Sequence, residues 1–363
     1  MTLFSSPRFG RGVVLDQFDV IVVGCGPAGA TAARMAADRG RSVLIIDRKR
    51  SVGQPPRCAG FVPGWLPDRA GADASSVIQS VSRVRLRDSA QTAELEVDAC
   101  VIDRIRFDKM LAIRALESGA DLCNGFVIRR EERTIVARRN GVEATFLGGV
   151  LICADGASSV VTRSIAPSRR RFLATMQFEV GLEKPCDFVS LCRPVIGGRG
   201  TGWFIPSGRT AKIGVALPRA MSRLLKPALS SMIRDYERDD VIFKDAVLAV
   251  TGGLVPIDRR PVSDAGLGLL VAGDARGGLG ADGAGIANAI LSGELAGTTA
   301  DRYLNDSSGD VIEKYAQALR NCLGYGRDEH DSNGHPSAFQ RWVDRTRRIF
   351  EWRPDSPVSE AAT

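Results

Sequence analysis

The chain has 363 residues, 44 % of them apolar, with 49 basic against 42 acidic side chains and a formal charge of +7. That apolar content excludes intrinsic disorder, and the length suits one large α/β unit or two to three interlocked domains. Arginine supplies 42 of the 49 cations and is interspersed with acids, as in Asp235-Tyr236-Glu237-Arg238-Asp239-Asp240, so no single-sign block marks a nucleic-acid-binding face.

The first 18 residues hold no apolar run of signal-peptide length, and no stretch approaches the roughly 18 uncharged apolar residues of a spanning helix. A cytoplasmic protein is expected. Phe18 to Val23 reads as a buried parallel strand that runs into Gly24-Cys25-Gly26-Pro27-Ala28-Gly29-Ala30. An Ala-rich helix from Thr31 to Arg39 ends at Gly40, and Ser42 to Ile46 is a second strand closing at Asp47. In such a βαβ unit Gly24 makes the tight turn, Gly26 lets backbone approach a pyrophosphate, and Gly29 lets helix and strand pack closely. The anion would sit on the helix N-terminus, where unpaired N–H groups and the helix dipole favour negative charge. Asp47 lies 18 residues beyond Gly29, where a carboxylate accepts hydrogen bonds from ribose hydroxyls. The following Arg48-Lys49-Arg50 leaves the type of dinucleotide open on this motif alone.

Further along, Arg104-Ile105-Arg106-Phe107-Asp108 opens a helix through Leu111, Ala115 and Gly119-Ala120, and Gly149 to Ala154 is a strand ending at the Asp155-Gly156 turn. Met176 to Leu182, Trp203 to Ile205 and Ala211 to Leu217 read as strands, with a helical excursion from Met221 to Arg238. A last buried strand, Gly266 to Ala272, delivers Gly273-Asp274-Ala275-Arg276-Gly277-Gly278. The helix Gly285 to Gly297 carries small residues on one face, open to close approach by backbone or cofactor. Gly278, Gly280 and Gly283 repeat the glycine spacing, but no second βαβ unit follows them. Eight cysteines form no C-x-x-C pair, and the two histidines, His330 and His335, lie in a polar tract, so no metal site or Ser/His/Asp triad is expected. From Phe339 to Trp352 a stripe of Phe339, Trp342, Val343 and Phe350 opposes Arg341, Arg345 and Arg348. Such a helix either docks on its own domain or lies on an anionic membrane, and docking is the preferred reading.

The three glycine and aspartate segments, in this order, resemble the flavoprotein class of aromatic hydroxylases, flavin-dependent halogenases and geranylgeranyl reductases. The resemblance implies FAD, held by Gly24, Gly26, Pro27, Ala28, Gly29, Asp47 and Arg48 at the adenosine end. It adds Asp155 of the middle motif, Gly273 and Asp274 of the late motif on the ribityl side, and Gly285 and Ile286 at the start of the late helix. Arg104 matches a family arginine near the flavin. Pro55-Pro56-Arg57-Cys58-Ala59-Gly60 is similar to the geranylgeranyl reductase loop that sets a cysteine beside the isoalloxazine, which makes Cys58 the candidate catalytic side chain. Gly200-Thr201-Gly202-Trp203-Phe204-Ile205-Pro206 is similar to that branch's substrate segment, which implies an apolar pocket of Trp203, Phe204 and Pro206. Thr201 and Ile205 depart from the family pattern there, and halogenases carry a related segment. The halogenases, however, need a lysine in the region between residues 50 and 108, and none is present.

The expected fold is α/β: a doubly wound (Rossmann-type) FAD-binding domain from 17–60, 99–165 and 262–305, with an inserted mixed-sheet substrate domain from 61–98 and 166–261 and a short C-terminal helical segment, 306–363. The expected function is an FAD-dependent oxidoreductase that reduces C=C bonds of an isoprenoid or similar apolar substrate by hydride transfer from reduced flavin. The alternatives are a monooxygenase acting on an aromatic small molecule or peptide side chain, and a flavin-stabilised binding protein. The expected partners are a lipid or other apolar small molecule and a transient donor, NAD(P)H or a ferredoxin-like carrier. Peripheral contact with the inner face of the membrane is left open, and nucleic acid is not expected.

Overall fold

A computed structural model describes residues 15–164, 171–257, 268–277, 284–306, 308–322 and 337–351. The second glycine triplet, both histidines and Trp352 lie outside them. In chain order the first part comprises β1 (Leu15–Val23), α1 (Pro27–Ala37), β2 (Val43–Asp47), β3 (Phe61–Pro63), α2 (Leu66–Ala70), β4 (Val77–Arg87), β5 (Thr92–Ile102) and α3 (Arg104–Glu117). There follow β6 (Asp121–Asn124), β7 (Phe126–Glu131), β8 (Thr134–Arg139), β9 (Val142–Cys153), β10 (Phe172–Leu182), β11 (Phe188–Cys192), β12 (Thr201–Ser207) and β13 (Thr210–Pro218). The chain continues through α4 (Leu225–Arg238), β14 (Ile242–Pro256), β15 (Leu269–Val271), α5 (Gly285–Asn305), α6 (Gly309–Cys322) and α7 (Ala338–Glu351).

The first sheet is Rossmann-type. Strands β6, β2, β1, β9 and β15 lie parallel in that order, and β8 pairs antiparallel with the early part of β9 along the edge that β15 uses later. Burial on both faces explains the unbroken apolar runs, since β2 is buried at every position. Val20 and Val22 pack toward α1, α3 and α5, while Ile21 and Val23 pack toward the β7–β9 meander through Val127, Ile135 and Phe146. Helix α1 begins at Pro27, earlier than the apolar pattern suggests, because proline's fixed φ and missing N–H suit the first helical position. The small face of α5 meets helix backbone: a Cβ at Gly293 would lie 2.4 Å from Ala28 O, and one at Gly297 2.3 Å from Ala32 O.

The second sheet has the order β14-β10-β13-β12-β11-β4-β5-β3. Period-2 alternation sorts its residues into two faces. One face carries Phe204, Ile213, Val215 and Leu217 under α4; the other carries Val84, Leu86, Leu95, Val189 and Ile205, partly covered by α7. Phe339, Trp342, Val343 and Phe350 of α7 are buried there, with the Phe350 ring 5.0 Å from Phe61. The apolar stripe of α7 is thus docked on its own chain. No helix among the described residues is long and apolar enough to cross a membrane.

Candidate functional site

The carboxyl ends of β1, β9 and β15 stand side by side, the position where open parallel sheets bind ligands. Gly24 has φ +101°, and a Cβ on it would fall 2.4 Å from Ala154 O; a Cβ on Gly29 would fall 1.8 Å from Gly24 O. Gly26 differs, because among the described residues a Cβ there would meet nothing within 4 Å and no side chain caps the helix that starts at Pro27. Asp47 is buried and braces this turn, accepting the Cys25 N–H at 2.6 Å and the Lys49 N–H at 2.7 Å. Each carboxylate oxygen retains a lone pair for a further donor. Arg48 beside it is exposed.

The late motif comes to the same place. A Cβ on Gly273 would lie 2.9 Å from the Ala28 Cβ, and the Gly273 N–H donates to Ser292 Oγ at 3.0 Å. Gly285 and Ile286 open α5, on whose third turn Ser292 sits. Burial pushes Asp274 up to about 6, opposed by the nearby Arg104 guanidinium. From the middle segment, Asp155 Oδ2 accepts the Val160 N–H at 2.7 Å, whereas Asp155 Oδ1 is buried without a hydrogen-bond partner among the described residues. Burial raises this carboxyl as well, against hydrogen bonds from Ser159 and Val160.

Cys58 and Arg104 meet next to Asp274. Asp103 caps α3 by accepting the Ile105 and Arg106 N–H groups, a cap worth about 1 kcal/mol. That fixes Arg104 at the first helical residue, where its guanidinium forms a two-pronged pair with Asp108 at 2.9 Å and hydrogen bonds to Cys58. Burial works against the Arg104 charge, and Asp108 with Cys58 more than offsets it, so its pKa is raised. The pair is 15 % and 3 % exposed, which makes Arg104 a buried cation rather than an ordinary surface charge. Asp108, four residues on, was findable from its i,i+4 spacing. The Cys58 loop is pinned by Gly53 and Gly60, whose Cβ atoms would lie 2.9 Å from Ile105 Cα and 2.5 Å from Ile102 O.

The second sheet approaches this loop with its Trp203 face. Lys212 Nζ donates to Ala59 O at 3.2 Å, and a Cβ at Gly253 would lie 3.8 Å from Arg57 Cδ. The expectation that Trp203, Phe204 and Pro206 line one pocket needs correction. Neighbouring strand residues point to opposite faces, so Phe204 is fully buried under α4, stacked on Tyr236 at 4.6 Å, and Pro206 alternates to that same side. Trp203 alone of the three faces the Cys58 loop. Beside it stand residues that sequence reading missed: buried Gln177 and half-buried Thr251 and Lys212, polar positions inside otherwise apolar strand runs.

A family model for FAD-dependent oxidoreductases matches residues 19–100. A digeranylgeranylglycerophospholipid reductase 1 from Methanococcoides burtonii is 30 % identical over 347 residues, covering 85 % of this chain and 81 % of that protein. The chain belongs to the geranylgeranyl reductase family of FAD-dependent oxidoreductases. Within that family, a digeranylgeranylglycerophospholipid reductase 2 from Methanopyrus kandleri is 29 % identical over 82 % of this chain and 81 % of its own. A geranylgeranyl bacteriochlorophyll reductase-like protein from Thermoplasma acidophilum has the same fold, with a TM-score of 0.77, 24 % identity, and 96 % and 95 % of the two chains covered. A flavin-dependent brominase shares the fold at a TM-score of 0.69 and 17 % identity.

The cofactor of this flavoprotein is FAD, and the residues fit it. The open backbone at Gly26 beside an uncapped helix start suits a pyrophosphate, and the orphaned Asp155 Oδ1 awaits a donor.

Proposed function

We propose that this reductase saturates C=C bonds of an isoprenoid-type chain held between the Cys58 loop and the Trp203 face of the second sheet. The observation that carries the reading is the apposition of these two surfaces, tied by Lys212 to Ala59 O, with Arg104, Cys58 and Asp274 together at the loop. The names of the relatives, reductases of digeranylgeranylglycerophospholipid, support the substrate class. FAD, when bound, supplies the hydride equivalent to one carbon of the alkene. The chain's own residues do the rest: Gly24, Gly26, Pro27, Ala28, Gly29 and Asp47 with neighbouring Arg48 hold the adenosine and pyrophosphate end. Asp155, Gly273, Asp274, Gly285 and Ile286 line the path toward the ring. In this reading Arg104 orients Cys58, whose thiol relays a proton, and Trp203 gives the apolar chain a flat wall that excludes water.

The test is anaerobic reduction of the FAD-loaded protein with dithionite in the presence of a digeranylgeranyl phospholipid, followed by lipid mass. Each saturated bond adds two hydrogens; reduced flavin beside unchanged lipid refutes the reading. Replacing dithionite by NADPH or by a reduced ferredoxin identifies the donor, which we propose to be diffusible.

A further inference from the structure

The face of the second sheet that looks at the Cys58 loop is not built for hydrocarbon alone. Trp203 on β12, Gly214 on β13, Gln177 on β10 and Thr251 on β14 are lateral neighbours on one face, by the registers Trp203–Gly214, Gly214–Gln177 and Gln177–Thr251. The indole lies flat across β13, because a Cβ at Gly214 would come within 2.2 Å of Trp203 Cζ2. It thereby reaches β10, where Trp203 Nε1–H donates to Gln177 Oε1 at 3.3 Å, and Gln177 Nε2 donates onward to Thr251 Oγ1 at 2.9 Å.

The polarity of this row is fixed by chemistry. An indole N–H only donates, so it takes the amide oxygen and turns the amide nitrogen toward β14. Thr251 Oγ1 uses a lone pair on that nitrogen, which leaves its own O–H as the donor at the end of the row. Among the described residues that hydrogen meets no acceptor. Gln177 is only 7 % exposed, and a buried amide costs free energy unless it is bonded. A wall meant only for alkyl chains is more stable when made of Leu or Val. The next residue on this face of β14, Gly253, faces the Arg57 stem, and Lys212 on β13 reaches the carbonyl beside Cys58, so Thr251 lies one alternate position from where the sheet meets the Cys58 loop.

We propose that Thr251 donates a hydrogen bond to an oxygen acceptor of the ligand (an alcohol, ether or carbonyl oxygen on the chain), so that the cleft selects oxygen-bearing isoprenoids over the bare hydrocarbon. Gln177 and Trp203 are positioning residues that orient the donor. The proposal rests on the reading that this cleft takes an isoprenoid chain. Isoalloxazine carbonyls offer the same acceptor chemistry, and the experiment separates that source from the ligand.

The FAD-loaded full chain is titrated in detergent with geranylgeraniol and with the polyene of equal length that lacks the hydroxyl, each followed by perturbation of the flavin absorbance. The wild type should bind the alcohol roughly tenfold more tightly, the discrimination expected from one desolvated hydrogen bond. Thr251→Val should bring the alcohol down to the polyene's affinity and leave the polyene unchanged, Thr251→Ser should retain the preference, and Gln177→Leu should reduce it. A Thr251→Val protein with the full preference overturns the proposal, as does equal binding of the two probes by the wild type while both still bind. Loss of FAD, or a shifted flavin spectrum before any probe is added, in Thr251→Val assigns the acceptor to the cofactor and overturns the ligand assignment. Binding of neither probe by the wild type overturns the isoprenoid reading together with this one.

Discussion

The two surfaces proposed to face ligand in this molecule are made from different materials. At the carboxyl ends of β1, β9 and β15 the surface is backbone: glycines at 24, 29 and 273 permit contacts that any Cβ would block, and polar side chains such as Asp47 brace the turn. On the second sheet the surface is side chain, and one residue step separates the face toward the Cys58 loop from the core under α4, as Trp203 and Phe204 show. A backbone site tolerates almost no substitution at its glycines, whereas a side-chain site can be retuned one position at a time.

The largest effect expected from this contrast is at Gly29. Gly29→Ala places a methyl 1.8 Å from Gly24 O and must displace the start of α1, so the fraction of protein purified with FAD should fall at least about tenfold. Flavin absorbance per chain measures it, and near-normal loading would show that the turn is more plastic than its contacts imply. Next comes the division of the second sheet. Phe204→Ala removes a fully buried ring from the α4 side and should lower unfolding stability by about 3–5 kcal/mol in urea titrations. The preference between the two geranylgeranyl probes should survive that loss; a change in preference would mean the two faces are coupled. The smallest effect is electrostatic. Burial holds the Asp274 pKa at about 6 against an ordinary 3.8, so the folded chain grips this proton more tightly than the unfolded one does. The resulting stability is fully present below about pH 4, falls as pH rises toward 6, and is flat above that range. The FAD-free protein should therefore lose Tm across that interval, and Asp274→Asn should remove Asp274's share of the slope.

The same contrast explains what could be read from the residues alone. Backbone sites announce themselves, because only glycine fills those positions, and the spacing of Gly24, Gly26 and Gly29 before an apolar strand ending at Asp47 had one good structural meaning. The motifs at Asp155 and Gly273 were visible for the same reason. Arg104 was recognisable and its partner Asp108 was within reach of helix spacing. The relay through Gln177 and Thr251 was not, because its members sit 74 residues apart on strands whose pairing no local pattern encodes. Phe204 was misjudged because an aromatic next to a candidate site aromatic reads as part of the same pocket until the strand's alternation is known.

The contact of Gly273 with Ala28, and of Gly293 and Gly297 with the backbone of α1, has a consequence for how the protein is made. The segment that supplies the glycine turn is made well before the wall that completes it, which comes from β15 and α5 some 250 residues later. Those are contacts of very long sequence separation, and their loop-closure entropy must be paid before the cradle exists. Flavin uptake therefore waits on β15 and α5: a ribosome-bound chain truncated before residue 268 should carry no FAD, and cofactor supply protects the chain only once these elements have emerged.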